Sequence, residues 1–425
     1  MISDLQKRDL KHLWHPITQH QLTDNHLVIK KAQGVFLYDE SNKRYIDGFS
    51  SWYTCMYGHC NETIIRKASE SLQQFSHIPF VGLTHEPAIE LSEALIKILP
   101  QNQQKIFFSD NGSTAVDLAI KMALQFFHNQ KISRTQIIAF EGAFHGDTFG
   151  AMSVSNSPIY HKAFHNFFID VIHIPIPNEN NFQEIKNQFS DLISQQNVAC
   201  FIYEPLIQGA NCMNMYDACF LDELIQIAQQ YDTLCIADEV MTGFGKTGKN
   251  FASAYLKTNP DIICLAKSLT TGITPMAITT CSKKVYESFL DNKITKGLMH
   301  AHTYSASPLG CTVAKAGIDL LISDEIQYNI SHISQRHQLF LQELNDHPKV
   351  KNARSLGVIL AFELDIQTKR YGKKRNELYH FFMKQGVFLR PLGNTIYLLP
   401  PFIISDDQLD QIYDSIKLLL TKHDL

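Results

Sequence analysis

The stretches TLCIADEVMTGFGKTGK (233–249) and DIICLAKSLTTG (261–272) decide how this chain folds. The first is an apolar run, Leu234 to Ala237, that ends in two carboxylates, Asp238 and Glu239. The second, Ile262 to Ala266, ends in one lysine, Lys267, with a Gly272 turn behind it. Short apolar runs bounded by polar or glycine residues predict buried parallel strands. Ligands of open α/β sheets sit beyond the carboxyl ends of such strands, so an acid and an amine are expected at one rim. A lysine desolvated there loses affinity for its proton and gains nucleophilicity. A carboxylate buried there requires a cationic partner.

Working outward, the same strand-then-polar-loop pattern recurs. KIFFSDNGSTAVDLAIKMALQFF (105–127) predicts a strand at Ile106–Phe108 and a helix starting near Ser113–Thr114, with Ser113 as its N-cap. Val116, Ala119, Ile120, Ala123 and Phe127 form its apolar stripe. A strand, a Gly-Ser turn and a helix N-terminus make an anion site, because free N–H groups and the positive dipole end face the ligand. Gly112 permits close approach, and Ser113 adds a hydroxyl. A phosphate site, a lysine and a buried acid are together what pyridoxal phosphate requires. QIIAFEGAFHGDTFGAMSV (136–154) is a strand running into a glycine-rich loop whose Phe144 can stack on a flat ring; His145 beside it carries no firm assignment. ACFIYEPLIQGA (199–210) is a further strand, ending at Glu204-Pro205, and CFLDELIQIAQQY (219–231) is a helix. Alternating strands and helices predict a doubly wound, mostly parallel sheet.

Toward the ends the chain changes character. Residues 1–30 predict an irregular or helical lead-in, and 34–60 a hairpin of Val35–Tyr38 with Arg44–Ile46. The hairpin is followed by Trp52 and Tyr53 at a pocket lip and Tyr57 in the core. EPAIELSEALIKIL (86–99) and Thr312–Ile322 predict helices. From about residue 325 a more polar stretch predicts a smaller α/β unit containing GVILAFEL (357–364), a helix over 375–385 and GVFLRPLGNTIYLLPPFIIS. Arg390 there follows a strand, where its planar fork suits a carboxylate. Tyr397 lies in the next strand, and Ser405 with Gln408 forms a capping box.

Composition bounds the partners. The chain has 425 residues, a formal net charge of −4, 44% hydrophobic and 19% charged residues. That length suits two domains, and that charge gives no electrostatic case for nucleic acid or anionic membrane. No apolar run approaches the roughly 18–20 residues of a membrane helix, and MISDLQKRDLKHLWHP lacks the apolar core of a signal peptide. Nine cysteines without a CxxC pair predict thiols in a reducing, cytoplasmic setting. Nineteen histidines show no zinc-type spacing, so no metal is expected. Neither G-x-x-x-x-G-K-[ST] nor G-x-G-x-x-G between a strand and a helix is present, which excludes the nucleotide-hydrolase and nicotinamide readings.

Gly112-Ser113, Phe144-His145-Gly146, Asp238-Glu239-Val240 and Lys267, in that order and spacing, resemble the class III aminotransferases among the fold-type I pyridoxal phosphate enzymes. The resemblance covers essentially the whole chain. It implies an α/β fold with a large cofactor-binding domain (51–310) and a small domain built from both chain ends (1–50 and 311–425). It also implies a homodimer with shared active sites. Lys267 would bond the cofactor and move protons as the catalytic residue, and Asp238 would pair with the ring nitrogen. Gly112, Ser113 and Thr303, the last from the other subunit, would hold the phosphate, with Phe144 over the ring. Trp52 and Tyr53 would shape the substrate pocket, Arg390 would bind the ketoacid carboxylate, and Tyr397 would lie near the donor. LWHPITQ (13–19), DGFSSWYTCMYGH (47–59), FHGDTFGAMSV (144–154) and RPLGNTIYLLPP (390–401) are similar to the members that aminate 8-amino-7-oxononanoate in biotin synthesis, with S-adenosylmethionine or lysine as donor. Those members often carry Tyr at the positions of Ile17 and Phe144, Gly at Ala301 and Gly-Asn-Pro at Ala306-Ser307-Pro308. These departures change polar contacts to the substrate and leave the reaction class intact. An ω-amino-acid:ketoacid aminotransferase and a catalytically silent cofactor-binding protein are the alternative activities.

Overall fold

In the computed structural model, which describes residues 2–23 and 25–422, the runs around Asp238 and Lys267 are adjacent parallel strands. The main sheet has seven strands: β1 (Gln103–Ser109), β2 (Gln136–Phe140), β3 (Val171–Ile174), β4 (Val198–Tyr203), β5 (Leu234–Asp238), β6 (Ile262–Leu265) and β7 (Ala277–Ser282). Their spatial order is β1-β7-β6-β5-β4-β2-β3. Asp238 sits opposite Cys264 in the β5–β6 register. Only β7 runs against its neighbours, antiparallel to both β6 and β1.

Every residue of β4, β5 and β6 is buried, which explains why they read as unbroken apolar runs. The two sheet faces feed two different cores. Phe201, Tyr203, Cys235, Ala237, Ile263 and Leu265 pack on one side with Leu221 and Ile225 of helix Ala218–Gln230. Their sequence neighbours Ile202, Leu234, Ile236, Ile262 and Cys264 pack on the other with Val116, Ala119 and Ala123 of helix Gly112–Asn129. The period of two is hidden in the sequence because both faces are covered.

The chain ends meet. The expected hairpin pairs Phe36–Asp39 with Arg44–Asp47, and Val387–Phe388 adds to it in parallel. Strand Ile29–Gln33 precedes the hairpin and was not anticipated; four of its five residues are exposed, so it carries no apolar period. A second small sheet contains Val350–Leu356, Ile359–Leu364 and Thr395–Leu398. Val35 and Ile46 share a core with Phe340, Leu360 and Ile412. The capping box of Ser405 and Gln408 is present on helix Asp406–Leu420. All nine cysteines are free thiols, and among the described residues no helix is long and apolar enough to cross a membrane.

One strained segment needs explanation. Ser50, Ser51, Trp52 and Tyr53 have φ of 52°, 46°, 64° and 69°, a turn of left-handed backbone built without glycine. Such a turn costs roughly 1–2 kcal/mol per residue, so its surroundings must hold it. Ser50 Oγ donates to the Leu399 carbonyl at 2.7 Å, and Ser51 Oγ to Asp47 Oδ2 at 2.7 Å. His59 Nε2 meets the same fully buried Asp47 carboxylate at 2.9 Å. Burial alone works to lower the His59 pKa, but Asp47, with Cys55 adding, raises it to about 10. Because the folded-state value is raised, this pair stabilises fully below about pH 6.5 and loses its contribution as pH rises through about 10. His59→Ala is expected to cost about 3 kcal/mol by leaving Asp47 buried without a counter-ion. Thermal denaturation from pH 6 to 10 should show the wild-type advantage shrinking toward the alkaline end.

Candidate active site

The carboxyl ends of β4, β5 and β6 bring Glu204, Asp238 and Lys267 to one cavity of about 610 Å3. The left-handed turn delivers Trp52 and Tyr53 to it, and the C-terminal strands deliver Arg390 and Tyr397. Gly112, Ser113, Phe144, Trp52, Tyr53, Asp238, Lys267, Arg390 and Tyr397 therefore line one space. Thr303 does not: it is exposed and absent from this lining.

Lys267 follows β6 with a left-handed backbone, φ 50°, in the short 3-10 turn Lys267–Thr270. Its Nζ lies 5.3 Å from the centre of the Tyr53 ring. Burial lowers its pKa, while the charges of Asp238 and Glu204 pull the other way. A neutral amine is thereby made more available than on a solvated lysine.

Asp238 is 4% exposed. Its Oδ2 accepts from His145 Nδ1 at 2.6 Å, and its Oδ1 accepts from the Val240 N–H at 3.1 Å. His145 is thus the residue that orients the acid, a role its sequence position did not disclose. The backbone of His145 is itself anchored, since its main-chain N–H donates to Ser155 Oγ at 2.8 Å. Glu204, also unassigned from sequence, is clamped by the Phe144 and Gly209 N–H groups, both at 3.0 Å. Burial pushes its pKa to about 7, against the opposing pull of His145. Its signal was visible as the first polar residue after the fully buried β4. Lys246 is wholly buried and donates to the Gly243 carbonyl at 2.5 Å and to Ser268 Oγ, bracing the turn that carries Lys267. Burial, then the charge of Lys267, holds its pKa well below the ordinary lysine value.

The helix after β1 starts two residues earlier than a Ser113 cap would place it. Asn111, not Ser113, is the N-cap: its side chain accepts from the Thr114 N–H at 3.1 Å and completes a capping box. Gly112 and Ser113 then occupy the first two helical positions, whose N–H groups have no partner within the helix. Ser113 Oγ is released from capping and accepts from the Asp147 N–H at 3.0 Å. A Cβ on Gly112 would stand 2.9 Å from Val240 Cγ1, so only glycine lets the helix end approach β5 this closely. Gly146, at φ 134°, is required for the same reason: a Cβ there would overlap Ser113 Oγ.

Phe144 faces the cavity with Tyr160 and His161 packed around it, their ring centres 5.6 and 5.8 Å away. Tyr53 and Tyr397 are buried and joined hydroxyl to hydroxyl at 3.1 Å. The Arg390 guanidinium stacks over Trp52 at 4.6 Å and has no carboxylate partner among the described residues. A second guanidinium, Arg370, lines the same cavity but is already occupied, donating to Tyr160 Oη at 2.9 Å and the Ala210 carbonyl at 2.6 Å. The cavity thus offers an anion site at a helix end, an aromatic wall, a buried carboxylate, a low-pKa amine and a free guanidinium. A flat phosphorylated ring with a protonated nitrogen fits the first four.

Comparison with known proteins agrees with this chemistry. The family model described as "Aminotransferase class-III" matches residues 17–420. An adenosylmethionine-8-amino-7-oxononanoate aminotransferase from Synechococcus elongatus is 38% identical over 96% of this chain and 98% of its own. One from Staphylococcus aureus is 33% identical over 95% and 94%. The crystal structure of the enzyme of that name from Methanocaldococcus jannaschii superposes with a TM-score of 0.91, at 30% identity over 99% of each chain. The omega transaminase of Pseudomonas jessenii in complex with PMP gives 0.92, at 25% identity over 98% and 97%. With nearly its full length matched, and with a lysine, an acid and a helix-end anion site at one sheet rim, the chain belongs to the class III aminotransferases, enzymes that work through pyridoxal phosphate.

Proposed function

We propose that this chain transaminates 8-amino-7-oxononanoate to 7,8-diaminononanoate in biotin synthesis, with S-adenosylmethionine as amino donor. The observation that carries the reading is Arg390, a guanidinium without a carboxylate partner among the described residues, on the wall of the cavity that holds the low-pKa Lys267 amine. A bidentate arginine suits the terminal carboxylate of a long ketoacid, and the side chains of Trp52, Tyr53 and Ile17 suit its aliphatic chain. The names of the relatives from Synechococcus and Staphylococcus support the same substrate and donor.

Pyridoxal phosphate, when bound, supplies an electron sink. Gly112 and Ser113 would hold its phosphate, Asp238 its ring nitrogen, Phe144 its face and Lys267 its carbonyl carbon. The chain's own work is then positional and protonic. Lys267 Nζ accepts the proton leaving the donor carbon and returns one to the acceptor carbon. Asp238, oriented by His145, keeps negative charge where a ring nitrogen carries positive charge. Arg390 orients the acceptor, while the tyrosine pair Tyr53–Tyr397 borders the donor.

The active unit is a homodimer in this reading, with Thr303 of one copy completing the phosphate site of the other. The exposure of Met299 (69%) and Tyr304 (61%) on either side of Thr303 supports a covered surface there. The setting is cytoplasmic, with no nucleic-acid or membrane partner.

The test is the visible spectrum of cofactor-loaded protein. S-adenosylmethionine should bleach the lysine-bound band, and 8-amino-7-oxononanoate should restore it. Bleaching by lysine alone would replace the donor. Bleaching only by ω-amines such as β-alanine, with the oxononanoate inert, would make the chain an ω-amino-acid aminotransferase. Arg390→Ala is expected to lower kcat/KM for the ketoacid about 100-fold and to affect the donor half-reaction far less. Equal losses in both half-reactions would mean that Arg390 is structural.

A further inference from the structure

A cluster of ligating side chains lies outside this cavity, near the N-terminus. Helix Asp4–His12 buries none of its residues, so it has no apolar anchor. Polar groups hold it instead. Gln6 Nε2 donates to the His26 carbonyl at 2.9 Å, and Asp9 presents both carboxylate oxygens to His15 Nε2 at 3.0 Å. The His26 ring lies against His15 with centres 3.8 Å apart. His20 completes the group: its Nε2 accepts from the His15 backbone N–H at 3.1 Å, and its ring centre is 5.8 Å from that of His15.

Ligand atoms of Asp9, His15 and His26 all fall within 4.8 Å of one another. Zinc bonds of about 2.0–2.1 Å in tetrahedral geometry set ligand atoms about 3.3 Å apart, a closure that side-chain rotation can supply. We propose that Asp9, His15 and His26 bind one zinc ion per chain, with water in the fourth position, as a staple for the N-terminal segment.

The bland alternative is a solvated Asp9–His15 pair, worth little by itself. It leaves unexplained why a second imidazole lies tilted against that pair and why Gln6 ties the helix to the backbone of His26. The other close histidine pair differs. His300 and His302 are 3.0 Å apart, but the Lys121 ammonium lies 3.0 Å from His300 Nδ1 and opposes a cation. The staple has a consequence for the cavity as well. Ile17, two residues beyond His15, reaches the cavity wall with φ 52°, so fixing His15 against His26 and Asp9 fixes the loop that presents it.

The test uses tag-free holoenzyme, stripped with chelator and dialysed. Cobalt(II) titration is read by its visible absorption, and zinc is read by displacement of the cobalt. One ion per chain is expected for the wild type and for His302→Gln, with binding lost in His26→Gln and Asp9→Asn. Zinc should also slow tryptic cleavage at Lys11 in the wild type and not in His26→Gln. Absence of uptake at one ion per chain would overturn the proposal. So would binding that survives His26→Gln, or binding that is lost only in His302→Gln. His26→Gln replaces none of the residues placed around the cofactor, so its cofactor spectrum reports whether the chain has folded.

Discussion

Lys267→Ala should lower transamination by more than about 10⁴-fold, because it removes both the amine that anchors the cofactor and the base that moves the proton. The two losses have separate readouts. The visible band of lysine-bound cofactor should disappear, and the donor half-reaction should stall even with cofactor in excess. Fold should be retained, since Lys267 borders a cavity and makes no hydrogen bond that the core depends on, Lys246 and Ser268 bracing the turn independently. Adding methylamine tests the division of labour: partial recovery is expected, since a free amine replaces the base and not its placement. Turnover retained without any added amine would remove Lys267 from the mechanism.

Asp238→Asn should cost about 10³-fold in kcat, a loss in the range seen when a charge-stabilising group of an active site is removed. The asparagine keeps the shape of the side chain and can still accept from the Val240 N–H, but it carries no charge toward a ring nitrogen. It also leaves His145 facing an amide instead of a carboxylate at 2.6 Å. With Asp238 as acceptor, His145 Nδ1 carries the proton, and Nε2 has no partner among the described residues. His145→Gln should therefore fall between wild type and Asp238→Asn, about tenfold down, since it disturbs orientation and leaves the charge in place. A His145 variant as damaged as Asp238→Asn would show that the two act as one unit. An Asp238→Asn enzyme with wild-type kcat would remove the acid from the reaction.

Much of this site was legible in the chain itself, for a physical reason. A strand buried on both faces is apolar up to its carboxyl end, so the first polar residue at or after that end announces the rim where ligands bind. Asp238 and Lys267 are announced this way by β5 and β6. Glu204 is announced equally by β4, yet one carboxylate after one strand has no chemistry until its partners are known. His145 and Lys246 were opaque, because their roles rest on contacts with Asp238 and Ser268, far along the chain. The N-cap shows the limit at short range: Asn111 and Ser113 are both good caps, and the backbone chose Asn111.

Local pattern thus determined the α/β alternation around β1, β2, β4, β5 and β6, the helix-end anion site and the acid and amine at its rim, because each follows from hydrophobic period or from the polarity of a few adjacent residues; β3 and β7 were not read from it. Tertiary structure alone decided the rest. It set the left-handed turn that carries Trp52 and Tyr53, the His145–Asp238 contact, the freedom of Arg390 beside the occupied Arg370, and the meeting of His26 with Asp9 and His15. These depend on which distant groups come together, and that is settled only when the whole core packs.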